Sequence, residues 1–220
     1  MKKWIIFLIL LSLAFVIPLG CRSANEQGGA VIKLMPPETD KGKPLMQVLK
    51  ERKSGREFLD KKLPQQQLSN LLWAANGINR SDGKRTAPSA KNAQDIDIYV
   101  VLEEGIYLYE PKQHELIPIA TGDYRKIDGA QGFVASAPVS LIYVSDQAKI
   151  SWGDSENDKM TVSNLDAGFV AQNAALYCAS EGLQSVPRLT VGDKEALAKL
   201  LKLRNEQKII LGQTIGYPKL

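Results

Sequence analysis

The stretch from Asp158 to Gly182 constrains the fold most, because its pattern suits only a long helix with two unlike faces. Leu165, Phe169, Gln172, Leu176, Ala179 and Leu183 recur at steps of three and four, which is the period of one helical face. Beside them runs a stripe of small residues, Ala167, Ala171, Ala174 and Cys178. Small side chains let a neighbouring backbone approach closely, so this helix is expected at the centre of a domain or at a subunit interface. Cys178 belongs to the stripe and reads as a packing residue, not a nucleophile.

Strands surround this helix in the sequence. Ile96, Ile98, Val100 and Leu102 alternate with Asp97, Tyr99 and Val101, the period of a strand. Glu104-Gly105 turns the chain, and Ile106–Tyr109 returns as a hairpin arm, with Leu116–Ile119 adding a short third strand. Val139–Val144 is apolar and β-branched, as expected of a strand buried on both faces. Lys208–Pro218 reads as a closing strand and turn. A helix is predicted with Pro64 at its first position, burying Leu68, Leu71, Leu72 and Ala75 and stopping at Gly77. Asp193 is placed to cap another. Helices and strands are mixed within one domain, so the fold class is α+β or α/β.

The N-terminus reads as an export signal over residues 1–20. Lys2 and Lys3 precede the uncharged apolar run Trp4–Leu19, and Gly20-Cys21 resembles a bacterial lipobox. Cys21 is therefore the expected lipidation site, with 21–43 a tether containing Pro36-Pro37 and 44–220 the folded domain. The expected location is the outer side of a membrane, held by a lipid anchor. Losing Lys2 and Lys3 takes the formal charge from +4 to +2, which gives no reason to expect nucleic acid as a partner. His114 is the sole histidine, so a Ser-His pair or a multi-histidine metal site is not expected. With Cys21 lipidated, Cys178 is left without a disulfide partner.

Near the start of the domain, Arg52, Lys53, Ser54 and Arg56 place three cations and a hydroxyl within five residues. Guanidinium forks match phosphate geometry, and an extended chain would direct Arg52, Ser54 and Arg56 to one side. Three further stretches follow in order: Arg85-Thr86-Ala87-Pro88-Ser89-Ala90-Lys91-Asn92-Ala93-Gln94, Ala171–Leu176 through Glu181–Arg188, and Leu211–Pro218. Together with the cluster they resemble the nitroreductase-like, FMN-dependent flavoprotein family. The Thr-Ala-Pro-Ser form and the hairpin end Tyr107–Pro111 are most similar to its SagB-type dehydrogenase branch. The resemblance implies an α+β domain with a central mixed or antiparallel sheet flanked by helices, forming a homodimer that binds FMN at the subunit interface. It assigns Arg52, Lys53, Ser54 and Arg56 to the phosphate and ribityl chain, and Ser89 and Asn92 to the polar edge of the ring. The backbone of Pro187, Arg188 and Leu189 would line the ring, where an N–H could tune the flavin without a catalytic side chain. No catalytic side chain is assigned. The implied activity is hydride or electron transfer through FMN to or from a small organic substrate. Export leaves the electron donor open between NAD(P)H and an extracytoplasmic donor. The other reading left open is an exported, lipid-anchored flavin-binding or interaction module without redox turnover.

Overall fold

One seven-stranded sheet forms the middle of the protein, described by a computed structural model for residues 29–129 and 131–219. The expected signal sequence at 1–20 and Cys21 lie outside the described residues. The strands are β1 (Ile32–Lys33), β2 (Ile96–Val101), β3 (Gly105–Glu110), β4 (Glu115–Thr121), β5 (Val139–Asp146), β6 (Gln184–Arg188) and β7 (Gln207–Gly216). They lie in the order β1-β4-β3-β2-β5-β7-β6, with every neighbouring pair antiparallel. Among the described residues six α-helices accompany them: α1 (Leu45–Glu51), α2 (Gln65–Asn76), α3 (Arg125–Asp128), α4 (Gly132–Ser136), α5 (Glu156–Ser180) and α6 (Lys194–Leu200). The α+β class and the helix-flanked antiparallel sheet are as expected from the sequence.

The sheet has an apolar core on each face. On one, α2 and α5 cover Ile96, Ile98, Val100, Leu141 and Tyr143. On the other, Tyr99, Val101, Ile142 and Val144 meet Leu197 and Leu201 of the α6 region. Every residue of β5 is buried, which matches its continuous apolar sequence. In α2, Leu68, Leu71, Leu72 and Ala75 form the buried stripe, and Gly77 is the C-cap. Pro64 is the N-cap, one position before the first helical residue. Asp193 caps α6 by accepting from the N–H groups of Glu195 and Ala196.

Helix α5 differs from its sequence reading in one instructive way. It begins at Glu156, fixed by a capping box between Ser155 and Asp158. The small-residue stripe is the face packed inward, since Ala167, Ala171, Ala174 and Cys178 are all buried. Leu165 and Phe169, from the larger apolar face, are 57% and 44% exposed. Close approach to the sheet and α2 favours small side chains there, with Val162 and Val170 among the larger groups admitted, so Leu165 and Phe169 are turned outward.

The described part of the expected tether, 29–43, is part of the fold. Ile32 and Lys33 pair with Leu116 and Glu115 of β4, and Leu34 is buried in the core. The Met35 carbonyl accepts from Ser69 Oγ at 2.5 Å, and the Glu38 N–H donates to Asn70 Oδ1 at 3.0 Å. His114, in the β3–β4 turn, adds contacts to Tyr109 Oη and Ser69 Oγ at 2.9 and 2.7 Å. These bonds hold the strand to α2 and to the sheet edge. A tether reading follows from local composition, whereas the pairing depends on β4, far along the chain.

Ala174 tests the packing directly, because it has no exposed surface. Ala174→Leu should lower unfolding free energy by about 1–3 kcal/mol through overpacking, read from the urea midpoint at constant slope.

Candidate functional site

The basic cluster lies beside the edge strand β6. After α1, the chain runs parallel to β6, with Ser54 bridging Ser185 and the Gly55 N–H donating to the Ser185 carbonyl at 3.3 Å. The Gln184 side chain donates to the Glu57 carbonyl, and a side chain at Gly55 would displace it. Phe58 then bridges Pro218, and the Lys219 N–H donates to the Glu57 carbonyl at 3.0 Å. The segment is thus fixed by backbone bonds on both sides. Arg52 is half-buried, while Lys53, Ser54 and Arg56 are exposed. Among the described residues none of the three cations forms an ion pair, and Glu51 is engaged by Lys43 at 2.6 Å. Such a held, uncompensated set of donors is what a phosphate dianion requires.

The same geometry brings Pro187, Arg188 and Leu189 close to the cluster, because they continue β6 beyond Ser185. Pro187 is exposed and Leu189 is 83% exposed. The N–H groups of Leu189 and Thr190 donate to no backbone carbonyl among the described residues, so the strand tip offers free donors. Arg188 is different, for its side chain is buried. Its Nη2 lies 2.8 Å from Asp128 Oδ2 and 3.0 Å from Ser140 Oγ. Only the backbone of Arg188 remains for a ligand at this edge. Burial pushes the Asp128 carboxyl above the usual carboxylate range, opposed by Arg188 and Ser140. Cys178 is buried and its thiol is pushed up to about 12 by burial, in keeping with a packing role.

Ser89 and Asn92 sit elsewhere in the subunit. Ser89 Oγ accepts from the Gln94 N–H at 2.9 Å, and the Ala90 N–H reaches both carboxylate oxygens of Asp166 on α5, at 3.3 and 3.1 Å. Lys91, Asn92 and Gln94 have positive φ values of 50°, 57° and 48°, an uncommon backbone for residues with side chains. α1 lies near the other end of α5, where the Lys43 N–H donates to Ser180 Oγ at 2.8 Å. At about 1.5 Å per residue, Asp166 and Ser180 are roughly 20 Å apart along the helix. The structure therefore joins 52–56 with 187–189 and places the 89–92 loop toward the opposite end of α5.

Comparison with known proteins agrees with this architecture. A model of the nitroreductase family matches residues 49–217, most of the chain. The chain belongs to the nitroreductase family. A solved protein of Ralstonia eutropha JMP134, described as a candidate nitroreductase, is 42% identical, with a TM-score of 0.80 over 86% of this chain and 90% of that one. A candidate nitroreductase of Methanocaldococcus jannaschii is 29% identical over 195 residues, which is 83% of this chain and 96% of that protein. An FMN-dependent nitroreductase of Clostridium difficile R20291 shares the fold at 19% identity, with a TM-score of 0.57 over 80% of this chain and 88% of that one.

In this nitroreductase-family chain, two buried polar groups near the candidate site escape sequence reasoning. One is the Asp128–Arg188 pair, whose members lie 60 positions apart. The other is Asp95, which is fully buried and accepts from Ser145 Oγ at 2.6 Å, while its Oδ1 has no partner among the described residues. Burial pushes the Asp95 carboxyl up to about 6, and the neighbouring Asp166 carboxyl adds to the rise against the Ser145 hydroxyl. No local pattern signals either group.

The folded Asp95 holds its proton more tightly than an unfolded aspartate at about 3.9. Its contribution to stability is complete below about pH 4 and is lost as pH rises through about 6. Asp95→Asn keeps an acceptor for Ser145 and removes the charge. Its melting temperature should exceed that of the wild type at pH 8, with the gap closing by pH 4 in thermal scans.

Proposed function

We propose that this chain is an FMN-dependent oxidoreductase of the SagB-type dehydrogenase branch, working as a homodimer on a small organic substrate. The observation that carries the reading is the Arg52–Arg56 segment, held by backbone bonds against β6, its cations without carboxylate partners among the described residues. Arg52 and Arg56 would hold the FMN phosphate, Lys53 would add charge, and Ser54 would donate to the phosphate or ribityl chain. The free N–H groups at Leu189 and Thr190 suit an electron-rich ring edge. When bound, FMN supplies the hydride or electron transfer, and the protein supplies position and electrostatics.

The roughly 20 Å separation along α5 favours a site completed across two subunits. The exposed apolar residues Leu45, Met46 and Leu49 of α1, with Leu165 and Phe169 of α5, supply a surface for that contact. On this reading Asn92 of the partner subunit and Ser89 of the partner subunit bond the polar edge of the ring. Phe169→Glu should shift the protein toward monomer in light scattering and lower its flavin content together. A monomer with full flavin content would refute the shared site.

The purified domain should show a flavin absorption spectrum and release FMN on denaturation. Arg52→Ala with Arg56→Ala should lower flavin occupancy at least tenfold, as expected for loss of two charge-assisted contacts of about 1.5–3 kcal/mol each, with the circular dichroism spectrum unchanged. A colourless wild type that takes up no added FMN would leave the exported, non-redox binding module as the reading.

Export and lipidation complete the proposal. The N-terminal pattern and Gly20-Cys21 support a membrane-anchored protein whose electron donor is either NAD(P)H or an extracytoplasmic donor. Cys21→Ser should move the full-length protein from the membrane fraction to the soluble fraction of an expressing bacterium, checked by fractionation and mass spectrometry of the mature N-terminus.

A further inference from the structure

The exposed tip at 189–190 lies between the buried side chains of Arg188 and Val191, and Arg188 ties it from beneath. Arg188, the last residue of β6, directs its guanidinium inward to Asp128, whose carboxylate also accepts from Ser140 Oγ. Arg188 Nη1 donates to the Thr190 carbonyl at 3.2 Å and to the Asp128 carbonyl at 3.4 Å. On the far side of the tip, the Gly192 N–H donates to the same Asp128 carbonyl at 2.7 Å. Both ends of the tip are therefore tied to Asp128. Two glycines shape the guanidinium's slot. A Cβ at Gly212 would lie 2.8 Å from Arg188 Nη2, and one at Gly129 would lie 3.0 Å from Nη1.

This arrangement is costly for a merely structural tie. The two side chains are 3% and 0% exposed, and burying an ion pair carries a desolvation penalty that apolar packing avoids. Arg188 Nε and Asp128 Oδ1 also lack partners among the described residues. What the pair provides that an apolar pair would not is direction, because its bonds fix the height and tilt of the backbone at Thr190. We infer that Asp128 and Arg188 are positioning residues that set the free N–H groups of Leu189 and Thr190 against the flavin ring. This rests on the FMN reading above. The pair acts through the backbone and touches no reacting atom.

The test compares wild type with the double variant Arg188→Met and Asp128→Leu, which removes both charges and leaves neither buried alone. The single variant Arg188→Lys, which keeps the charge but loses the fork, serves as a second probe if the double variant does not fold. Amide hydrogen exchange at Val191 and Gly192 is measured without flavin, and the FMN dissociation constant and flavin midpoint potential are measured with it. Exchange at Val191 and Gly192, whose N–H groups are hydrogen-bonded at the far side of the tip, should quicken on the order of tenfold or more relative to β6. FMN should bind about tenfold more weakly as the tip loses preorganisation. The midpoint potential should move, whereas Arg56→Ala should weaken binding and leave the potential in place. Unchanged exchange in the variant would overturn the anchor itself. Faster exchange with an unchanged potential would overturn its role toward the flavin. A wild type that binds no FMN would overturn the FMN reading and this role with it.

Discussion

The contact on which the rest of the structure depends is the close packing of α5 against α2 and the sheet. It is made by methyl-sized groups, Ala167, Ala171 and Ala174, with Cys178 at the end of the stripe. Small residues allow the helix axis to come close, and dense packing then favours the face of Ala and Val over the bulkier Leu165 and Phe169. Leu165 and Phe169 are consequently at the surface. The helix also sets the spacing of the candidate site. Asp166 receives the 89–92 loop, and Ser180, far along the same helix, receives the segment leading into α1.

At the β6 edge, the chain solves a different problem. An edge strand has unpaired backbone groups that invite other chains. Here the 54–55 segment covers part of that edge, and the same bonds present the basic cluster to solvent. Edge protection and the proposed ligand binding thus share one piece of backbone. Beyond it, the strand tip is held by a buried charge pair instead of by further pairing, because the ladder with β7 stops at Arg188 and Gly212. The tip remains exposed while its base is fixed.

Much of the architecture is legible from local pattern. Alternation marks β2, a continuous apolar run marks β5, and Pro64 and Gly77 bracket α2. Arg52, Lys53, Ser54 and Arg56 stand out because cations and a hydroxyl are concentrated where an apolar segment ends. Less legible is anything that depends on a distant partner. The stretch at 29–43 has the composition of a linker, yet Ile32 and Lys33 find their partners in β4. Arg188 reads as one of a run of site residues, yet its charge is committed to Asp128. Asp95 looks like an ordinary residue before a strand, and its burial against Ser145 raises its pKa.

The sequence by itself determined the periodicities, the helix stops and the basic cluster, since these depend on residues within a few positions of one another. It also determined that α5 has two faces. Only the tertiary structure decided which face is buried, because that choice rests on how much space the sheet and α2 leave. It likewise decided that 52–56 and 187–189 share an edge while Ser89 and Asn92 stand apart. Pairing register and packing depth are properties of the assembled sheet, and no local stretch carries them.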